Sequence, residues 1–367
     1  MKIQRSTRCS LKFSTENKRT VLREVLAEYS RIVNRFIEHF WQTGIPKKAE
    51  LLKPVVDLPK GQTWLSARLR KVAAREAIDM CLAARKRWDD EAVMPTHQGR
   101  RMCLSSTIAR LEKSEDTKEF DAWLLLRSIG RKIRLDLPVR FHRHLNHLAA
   151  RGKRLESYVI TDRDVTFAFE IEIGPKRTQG ALLGLDTGMK VMAATSTGGL
   201  FGHDVWEILE AIKRCAHGSK RQRRLRRSLR QRMDEIAKEI FRTYGDLRLL
   251  VVEGLKRMNY KTKVRRRLTR NMRRSLGAWV YRYWLSRVER GCEDNRVVFR
   301  SVPPAYTSQR CPACGHTGRG NRPTRDKFCC LSCGHTDHPD VVGGQNILDR
   351  FLSGPYGAGF QLTPRYA

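Results

Sequence analysis

Four cysteines near the C-terminus have the spacing of a metal site. Cys311 and Cys314 form one Cys-x-x-Cys pair, Cys330 and Cys333 form a second, and each pair is followed by a glycine. Each pair can present two thiolates from a tight turn, and two such turns close the four-sulfur tetrahedron of a structural Zn2+ site. The sequence therefore predicts one zinc ion in a zinc ribbon. Cys329 falls outside the predicted ligand set because only Cys330 keeps the spacing.

Three carboxylates form a second candidate site. Asp186 and Glu253 each close a short apolar run that reads as a strand, and Asp340 comes just before the last predicted helix. Ligands of open α/β sheets bind at the carboxyl ends of strands. Clustered acids repel one another unless cations lie between them, and carboxylate oxygens suit Mg2+. Since two such ions can activate water and stabilise the leaving oxygen of a phosphodiester, these acids are candidate catalytic ligands of two Mg2+ ions.

Each acid also has a structural explanation. Asp186 could shape a turn, and Glu253 could form an ion pair with Lys256. Asp340 could cap the helix that follows it, and Asp337 competes with it for the catalytic role. A nucleotide-binding Gly-x-Asp-x-Gly strand of the actin-like ATPase type is a further alternative, which the basic charge and the ribbon disfavour.

The charge of the chain indicates a polyanionic partner. The 367 residues include 73 Lys and Arg against 38 Asp and Glu, a net charge of +35. Nucleic acid explains this surplus better than a membrane does. Ten of the twenty residues 213–232 and ten of the nineteen residues 256–274 are basic. The candidate phosphate contacts within them are Lys220, Arg221, Arg223, Arg224, Arg227, Lys261, Lys263, Arg265, Arg266 and Arg267.

Several classes of protein are disfavoured by the same sequence. The apolar runs are too short to span a bilayer, and the N-terminus lacks the apolar core of a signal peptide. The cysteines outside the two pairs are scattered singly, which suits a reducing compartment. We therefore expect a cytoplasmic protein bound to nucleic acid, without a membrane or small-molecule partner.

The apolar periodicity predicts the elements that position these residues. In the N-terminal half it indicates a strand at 2–13, helices at 20–41 and 64–88, a weaker helix around 115–130 and a β-hairpin at 155–173. In the C-terminal half it indicates strands at 181–186, 191–196 and 200–202, a basic helical region at 205–244, a strand at 247–253, a helix at about 267–292, a strand at 297–302 and a helix at 341–351.

This order of elements predicts a multidomain α+β protein. An N-terminal β-domain with a helical insertion precedes a ribonuclease H-like α/β domain, into which a zinc ribbon is inserted before the last helix. The predicted bounds are 1–15 and 135–179 for the β-domain, 16–134 for the helical insertion, 180–305 and 336–352 for the ribonuclease H-like domain, 306–335 for the ribbon and 353–367 for a flexible tail.

A set of motifs between about 180 and 350 resembles a known family. The motifs are Gly184-Leu-Asp-Thr-Gly188, Val-Val-Glu253-Gly-Leu, Pro304–Ser308 ahead of the first cysteine pair, the second pair itself, and His338-Pro-Asp340 leading to Gln345-Asn346-Ile347. Together they resemble the TnpB family, transposon-encoded RNA-guided nucleases related to type V CRISPR effectors. The N-terminal half agrees only in its order of elements, which in the family form a wedge β-domain interrupted by a helical recognition lobe.

The resemblance implies a prokaryotic, nucleoid-associated RNA-guided DNA endonuclease. Asp186, Glu253 and Asp340 match the metal-binding acids of its RuvC-like domain. The implied partners are a structured guide RNA and double-stranded target DNA beside a short flanking motif. A guided DNA-binding repressor without cleavage and a type V CRISPR effector proper remain alternatives, and a strand-joining transposase is less favoured.

One stretch departs from the family pattern. Val342 stands where the family usually has asparagine, and Gly343 and Gly344 stand where it has two alanines. Because glycine lowers helix propensity, we expect a loosened first turn in the last helix and a less firmly placed Asp340.

Overall fold

The computed structural model describes residues 1–88, 92–115, 117–254, 280–304 and 306–354. The chain divides into two compact units, Met1–Glu172 and Ile173–Ala367. The helices of these ranges are α1 Glu16–Thr43, α2 Lys53–Asp57, α3 Ala67–Trp88, α4 Arg143–Arg151, α5 Val205–Arg214, α6 Lys220–Thr243, α7 Tyr281–Asp294 and α8 Pro339–Ser353. The strands are β1 Lys2–Ser10, β2 Met102–Leu104, β3 Ala109–Lys113, β4 Ala122–Leu126, β5 Leu135–Val139, β6 Gly152–Ile160, β7 Asp164–Glu172, β8 Leu182–Asp186, β9 Ala193–Thr195, β10 Leu200–Phe201, β11 Leu249–Glu253, β12 Val298–Val302, β13 Phe328–Cys329 and β14 Thr336–Asp337.

An antiparallel sheet with the order β1-β7-β6-β2 forms one part of the first unit. Every second residue of β1 and of β7 is buried, because successive side chains of a strand point to opposite faces. The strand predicted at 2–13 and the hairpin predicted at 155–173 are confirmed. The helices predicted at 20–41 and 64–88 are confirmed as well, as α1 and α3, which pack against each other.

The helix predicted around 115–130 is wrong. This segment contributes β4 to a three-stranded antiparallel sheet with the order β3-β4-β5. Ala122, Leu124 and Leu126 are buried and alternate with half-buried residues, which is the period of a strand. The helical insertion at 16–134 stays a prediction, and its span contains β2, β3 and β4 besides helices.

The second unit contains a five-stranded sheet with the order β10-β9-β8-β11-β12. β8, β11 and β12 are parallel, while β9 and β10 are antiparallel to their neighbours. β8 and β11 are buried on every residue except the last, as expected for central parallel strands. Because the two strands are parallel neighbours, their last residues, Asp186 and Glu253, lie at the same edge of the sheet.

The basic helical region predicted at 205–244 is confirmed as helical, and it is divided into two helices, α5 and α6. The chain leaves α5 at Cys215 in an extended conformation, and Gly218 adopts a φ of 76°. The hydroxyl of Ser219 then accepts a hydrogen bond from the Gln222 N–H at 3.1 Å, and the Gln222 side chain accepts one from the Gly218 N–H at 2.9 Å. This reciprocal capping starts a new helix.

Two predicted segments fall largely outside the described residues. They are the first part of the helix predicted at 267–292, of which α7 represents the remainder, and most of the tail predicted at 353–367. Within the described ranges, no helix combines the length and the apolarity that crossing a bilayer requires.

Candidate functional site

Helix α8 lies unusually close to strand β8 because glycines face each other there. A methyl group on Gly184 would lie 2.0 Å from the carbonyl oxygen of Gly344, and one on Gly344 would lie 2.8 Å from the backbone nitrogen of Ser196. A methyl group on Gly343 would lie 3.0 Å from the Asp186 carboxyl carbon. The predicted loosening is not observed, since α8 is continuous, and its glycines instead admit the strand that carries Asp186.

Asp340 lies in the first turn of α8 rather than before it. His338 caps this helix, and its Nδ1 accepts a hydrogen bond from the Asp340 N–H at 3.3 Å. The alternative in which the Asp340 side chain is the cap is therefore wrong. Asp337 lies in β14, where its carboxylate accepts hydrogen bonds from the His338 N–H at 2.6 Å and from Gln345 at 3.5 Å.

The three predicted acids line one cleft of about 680 Å³, and Asp337 is not among its lining residues. Glu253 accepts a hydrogen bond from the hydroxyl of Thr307. Asp340 forms an ion pair with Arg322 at 3.2 Å. The cleft therefore holds these three carboxylates, a fourth from Asp326 that is paired with Lys190, and the cation of Arg322 facing Asp340. The ion pair predicted between Glu253 and Lys256 lies outside the described residues.

The electrostatics of the cleft favour protonation of Asp186 and Glu253. Burial, and then the charges of Glu253 and Asp340, raise the pKa of Asp186 to about 7. Burial also raises the pKa of Glu253, although the hydrogen bond from Thr307 opposes that shift. Two buried acids with raised pKa values, one of them raised further by neighbouring acids, form a site where a bound cation would relieve desolvation and repulsion.

The donor set of the cleft fits Mg2+. All three side chains offer hard carboxylate oxygens, and Mg2+ retains several waters while it binds one or two carboxylates. Among the described residues, only the four cysteines place their ligand atoms all within 4.8 Å of one another. The three acids are not gathered as closely as the cysteines, and they line the cleft of about 680 Å³ in which a bound ion would take further ligands from water.

The four predicted zinc ligands converge into one cluster. The sulfur atoms of Cys311 and Cys333 lie 3.6 Å apart, as do those of Cys314 and Cys330. A tetrahedron with Zn–S bonds of about 2.3 Å has sulfur atoms about 3.8 Å apart. The arrangement therefore fits a single four-thiolate zinc ion.

Two equivalent turns hold these sulfurs. The Gly315 N–H donates to the Cys311 carbonyl at 3.0 Å, and the Gly334 N–H donates to the Cys330 carbonyl at 3.0 Å. Both glycines have positive φ, 77° and 72°, which a residue with a side chain rarely adopts. Although burial opposes the shift, backbone hydrogen bonds lower the pKa of the Cys330 thiol. In contrast, despite a backbone hydrogen bond with His335, hydrogen bonds from the neighbouring sulfurs raise the pKa of the Cys333 thiol, because the clustered thiols titrate together. Cys329 lies in β13 and outside the cluster.

The predicted phosphate contacts fall into two groups. Lys220, Arg221, Arg223, Arg224 and Arg227 all lie on α6, and all are exposed. No ion pair within the described ranges neutralises any of the five, while the opposite face of α6 is buried in the core of the unit. The second group, Lys261, Lys263, Arg265, Arg266 and Arg267, lies outside the described residues.

Two residues of the cleft were not predicted from the sequence. Thr307 lies in the segment that precedes the first cysteine pair, which the motif resemblance marks only as a block. Arg322 lies in the loop between the two cysteine pairs, where no residue pattern distinguishes it from the other arginines. Both contacts join residues far apart in the chain, so only the fold reveals them.

Comparisons with known proteins find one family and several proteins to which parts of this chain are similar. The family Cas12f1-like, TNB domain, matches residues 281–347. The chain is 54% identical over 48 residues to the "Putative RNA-guided DNA endonuclease InsQ" of Escherichia coli (strain K12), and 32% identical over 74 residues to the "CRISPR-associated endodeoxyribonuclease Cas12f1" of Sulfoacidibacillus thermotolerans. These matches cover 13% and 20% of this chain and 12% and 18% of the relatives.

The fold is also similar to a solved structure, the Cas12f1-sgRNA-target DNA complex. The TM-score is 0.58 at 12% identity, over 93% of this chain and 83% of that one. These matches support a TnpB-like family. The resemblance inferred from the motifs is thereby confirmed, and the mixed α/β architecture of this chain agrees with the fold of Cas12f1.

Proposed function

We propose that the chain is an RNA-guided DNA endonuclease that hydrolyses target DNA beside a short flanking motif. The observation that carries this proposal is the convergence of Asp186, Glu253 and Asp340 in one cleft at the carboxyl edge of β8 and β11. Three acids in a chain of net charge +35 are unlike a generic phosphate-binding surface, because they repel the phosphate unless cations intervene.

The residues of the cleft would have different roles in the reaction. Asp186, Glu253 and Asp340 would hold two Mg2+ ions, which supply an activated water and stabilise the leaving oxygen of the phosphodiester. Arg322 and Arg325 line the same cleft and provide cations for the phosphate of the incoming strand. The exposed cations of α6 track the backbone of the guide RNA or the DNA, while the four cysteines hold the ribbon together around Zn2+.

The domain layout follows from the same assignment. Residues 180–305 and 336–352 form a RuvC-like nuclease domain, and 306–335 form the zinc ribbon. Residues 1–15 and 135–179 form a wedge-like β-domain around the lobe at 16–134. The guide would read the target sequence by base pairing, while the protein would read the flanking motif.

Isosteric substitution of the acids tests the proposal. Asp186→Asn, Glu253→Gln and Asp340→Asn should each abolish Mg2+-dependent cleavage of a guided target, because an amide cannot replace the lost charge. Guided DNA binding should persist, since base pairing does not require these ions. Asp337→Asn is the matched control and should cut as the wild type does.

The other outcomes distinguish the alternatives. A wild-type protein that binds a guided target in Mg2+ and never cuts it would establish a guided DNA-binding protein. Normal cleavage by Asp186→Asn would place the active site elsewhere. Strand joining instead of hydrolysis would establish a transposase.

A further inference from the structure

A buried threonine connects one of the acids to the helix that carries another. Thr307 is only 4% exposed, and its hydroxyl donates a hydrogen bond to Oε1 of Glu253. Its carbonyl oxygen accepts a hydrogen bond of 2.7 Å from Nδ2 of Asn346. Asn346 lies on α8, six residues after Asp340.

Asn346 forms two hydrogen bonds with the segment that contains Thr307. Its Nδ2 also donates to the carbonyl of Arg310 at 2.7 Å. Both protons of this amide nitrogen are therefore donated to backbone carbonyls of the segment that precedes Cys311. The side chain is 3% exposed. A buried amide without these partners would carry the full cost of its desolvation, so the geometry of the segment is tied to α8.

We propose that Thr307 and Asn346 are positioning residues that orient Glu253 for metal binding. This role presupposes the metal-binding function proposed above. The hydrogen bond from the Thr307 hydroxyl holds Oε1 of Glu253 in place. Because this limits rotation of the carboxylate group, the position of Oε2 is restricted as well. Because α8 also carries Asp340 and packs against β8 through Gly344, the same helix sets the relative positions of all three acids. Outer-shell hydrogen bonds of this kind typically change metal affinity by about 10- to 100-fold.

A matched pair of substitutions separates orientation from packing. Thr307→Val keeps the shape and the methyl group and removes the hydroxyl, whereas Thr307→Ser keeps the hydroxyl and removes the methyl group. The probe is Mn2+, titrated into zinc-loaded protein without nucleic acid and followed by electron paramagnetic resonance, with Asp186→Asn defining the signal that belongs to the cleft. We expect Thr307→Val to bind Mn2+ about 10- to 100-fold more weakly, and Thr307→Ser to bind within about threefold of the wild type.

A substitution at the distal residue provides a second measurement. Asn346→Leu keeps the approximate size, removes both donated protons and adds no charge, and no hydrogen bond among the described residues joins Asn346 to any of the three acids. It should also weaken Mn2+ binding at a temperature and urea concentration where the protein stays folded. A purely structural role would lower the urea midpoint and leave the Mn2+ affinity unchanged.

The outcomes separate this inference from the proposed nuclease. Equal Mn2+ affinity in the wild type, Thr307→Val and Asn346→Leu overturns the positioning role and leaves the metal site intact. Weaker binding in Thr307→Ser than in Thr307→Val overturns it as well, because the methyl group would then be the active part. If the wild type shows no Asp186-dependent Mn2+ signal, the metal site and the positioning role both fail.

Discussion

Substitution of Gly184 by alanine tests the contact on which the geometry of the acids depends. Its new methyl carbon would lie 2.0 Å from the carbonyl oxygen of Gly344 and 3.0 Å from the β-carbon of Leu348. Carbon and carbonyl oxygen approach no closer than about 3.3 Å in ordinary C–H···O contacts. Helix α8 would therefore have to move by roughly 1 Å away from β8, and Asp340 would move with it.

The expected loss of stability depends on how easily the Gly344 carbonyl can move away from the new methyl group. Overpacking costs about 1–3 kcal/mol, and the upper end applies because the obstacle is backbone rather than a side chain that can rotate. Replacing glycine within a strand recovers about 0.5–1 kcal/mol of chain entropy. We therefore expect the free energy of unfolding to fall by about 2 kcal/mol.

The assay is urea unfolding followed by tryptophan fluorescence, with Trp284 as a buried reporter in this unit. Gly245→Ala is the matched control, because its methyl group would meet nothing within 4 Å and its φ lies outside the left-handed region. The control should stay within about 0.5 kcal/mol of the wild type. Equal midpoints for Gly184→Ala and Gly245→Ala would refute the close approach of α8 to β8.

Three further expectations concern other parts of the chain. Cys330→Ser should lose the single zinc ion, measured by elemental analysis, and Cys329→Ser should keep it; the reverse would place the ligand set one residue off. Joint replacement of three exposed α6 arginines by glutamine should reduce the slope of log affinity for duplex DNA against log salt concentration by about 2 to 3. The residues are Arg223, Arg224 and Arg227, and their replacement by lysine should leave this slope unchanged. Despite burial, the neighbouring His97 side chain at 3.7 Å, the hydrogen bond from the Tyr29 hydroxyl at 2.8 Å and the Cys103 thiol lower the pKa of Glu76 to about 2. Its charged form thus stabilises the fold by about 3 kcal/mol above pH 4.5, and this stabilisation is lost as the pH falls towards 2; urea midpoints of Glu76→Gln should therefore differ from the wild type at pH 7 and converge with it at low pH.

Residues whose roles depend on local spacing could be predicted from the sequence. Each cysteine pair forms its turn from neighbouring residues, so the geometry of each half of the zinc site could be predicted locally. The fold only had to place the two turns beside each other. Asp186 and Glu253 could be recognised because a charge at the end of an apolar strand is costly without a purpose, and parallel strands bring such ends to one edge. Asp340 was harder, because its position depends on how α8 packs.

Segments with ambiguous periodicity could not be predicted in the same way. In 122–126 both faces of the strand are apolar, so the alternation that marks a half-buried strand is absent from the sequence, and a short apolar run fits either a helix or a strand. The boundary between α5 and α6 carried a local signal in Ser219 and Gln222, but the basic run that begins at Lys213 and continues into α6 concealed it.

The contacts of Thr307 and Arg322 show why part of the site required the fold. A threonine before a cysteine turn and an arginine in a basic loop are ordinary surface residues in a sequence, since neither costs free energy while it is solvated. Burial changes this for Thr307, whose hydroxyl and carbonyl must then find partners, and the partners it finds belong to a catalytic candidate and to the helix that carries another. Thr307 needs these partners only once α8, β11 and the segment before the ribbon have packed together. The requirement therefore cannot be predicted from the pattern of residues along the chain.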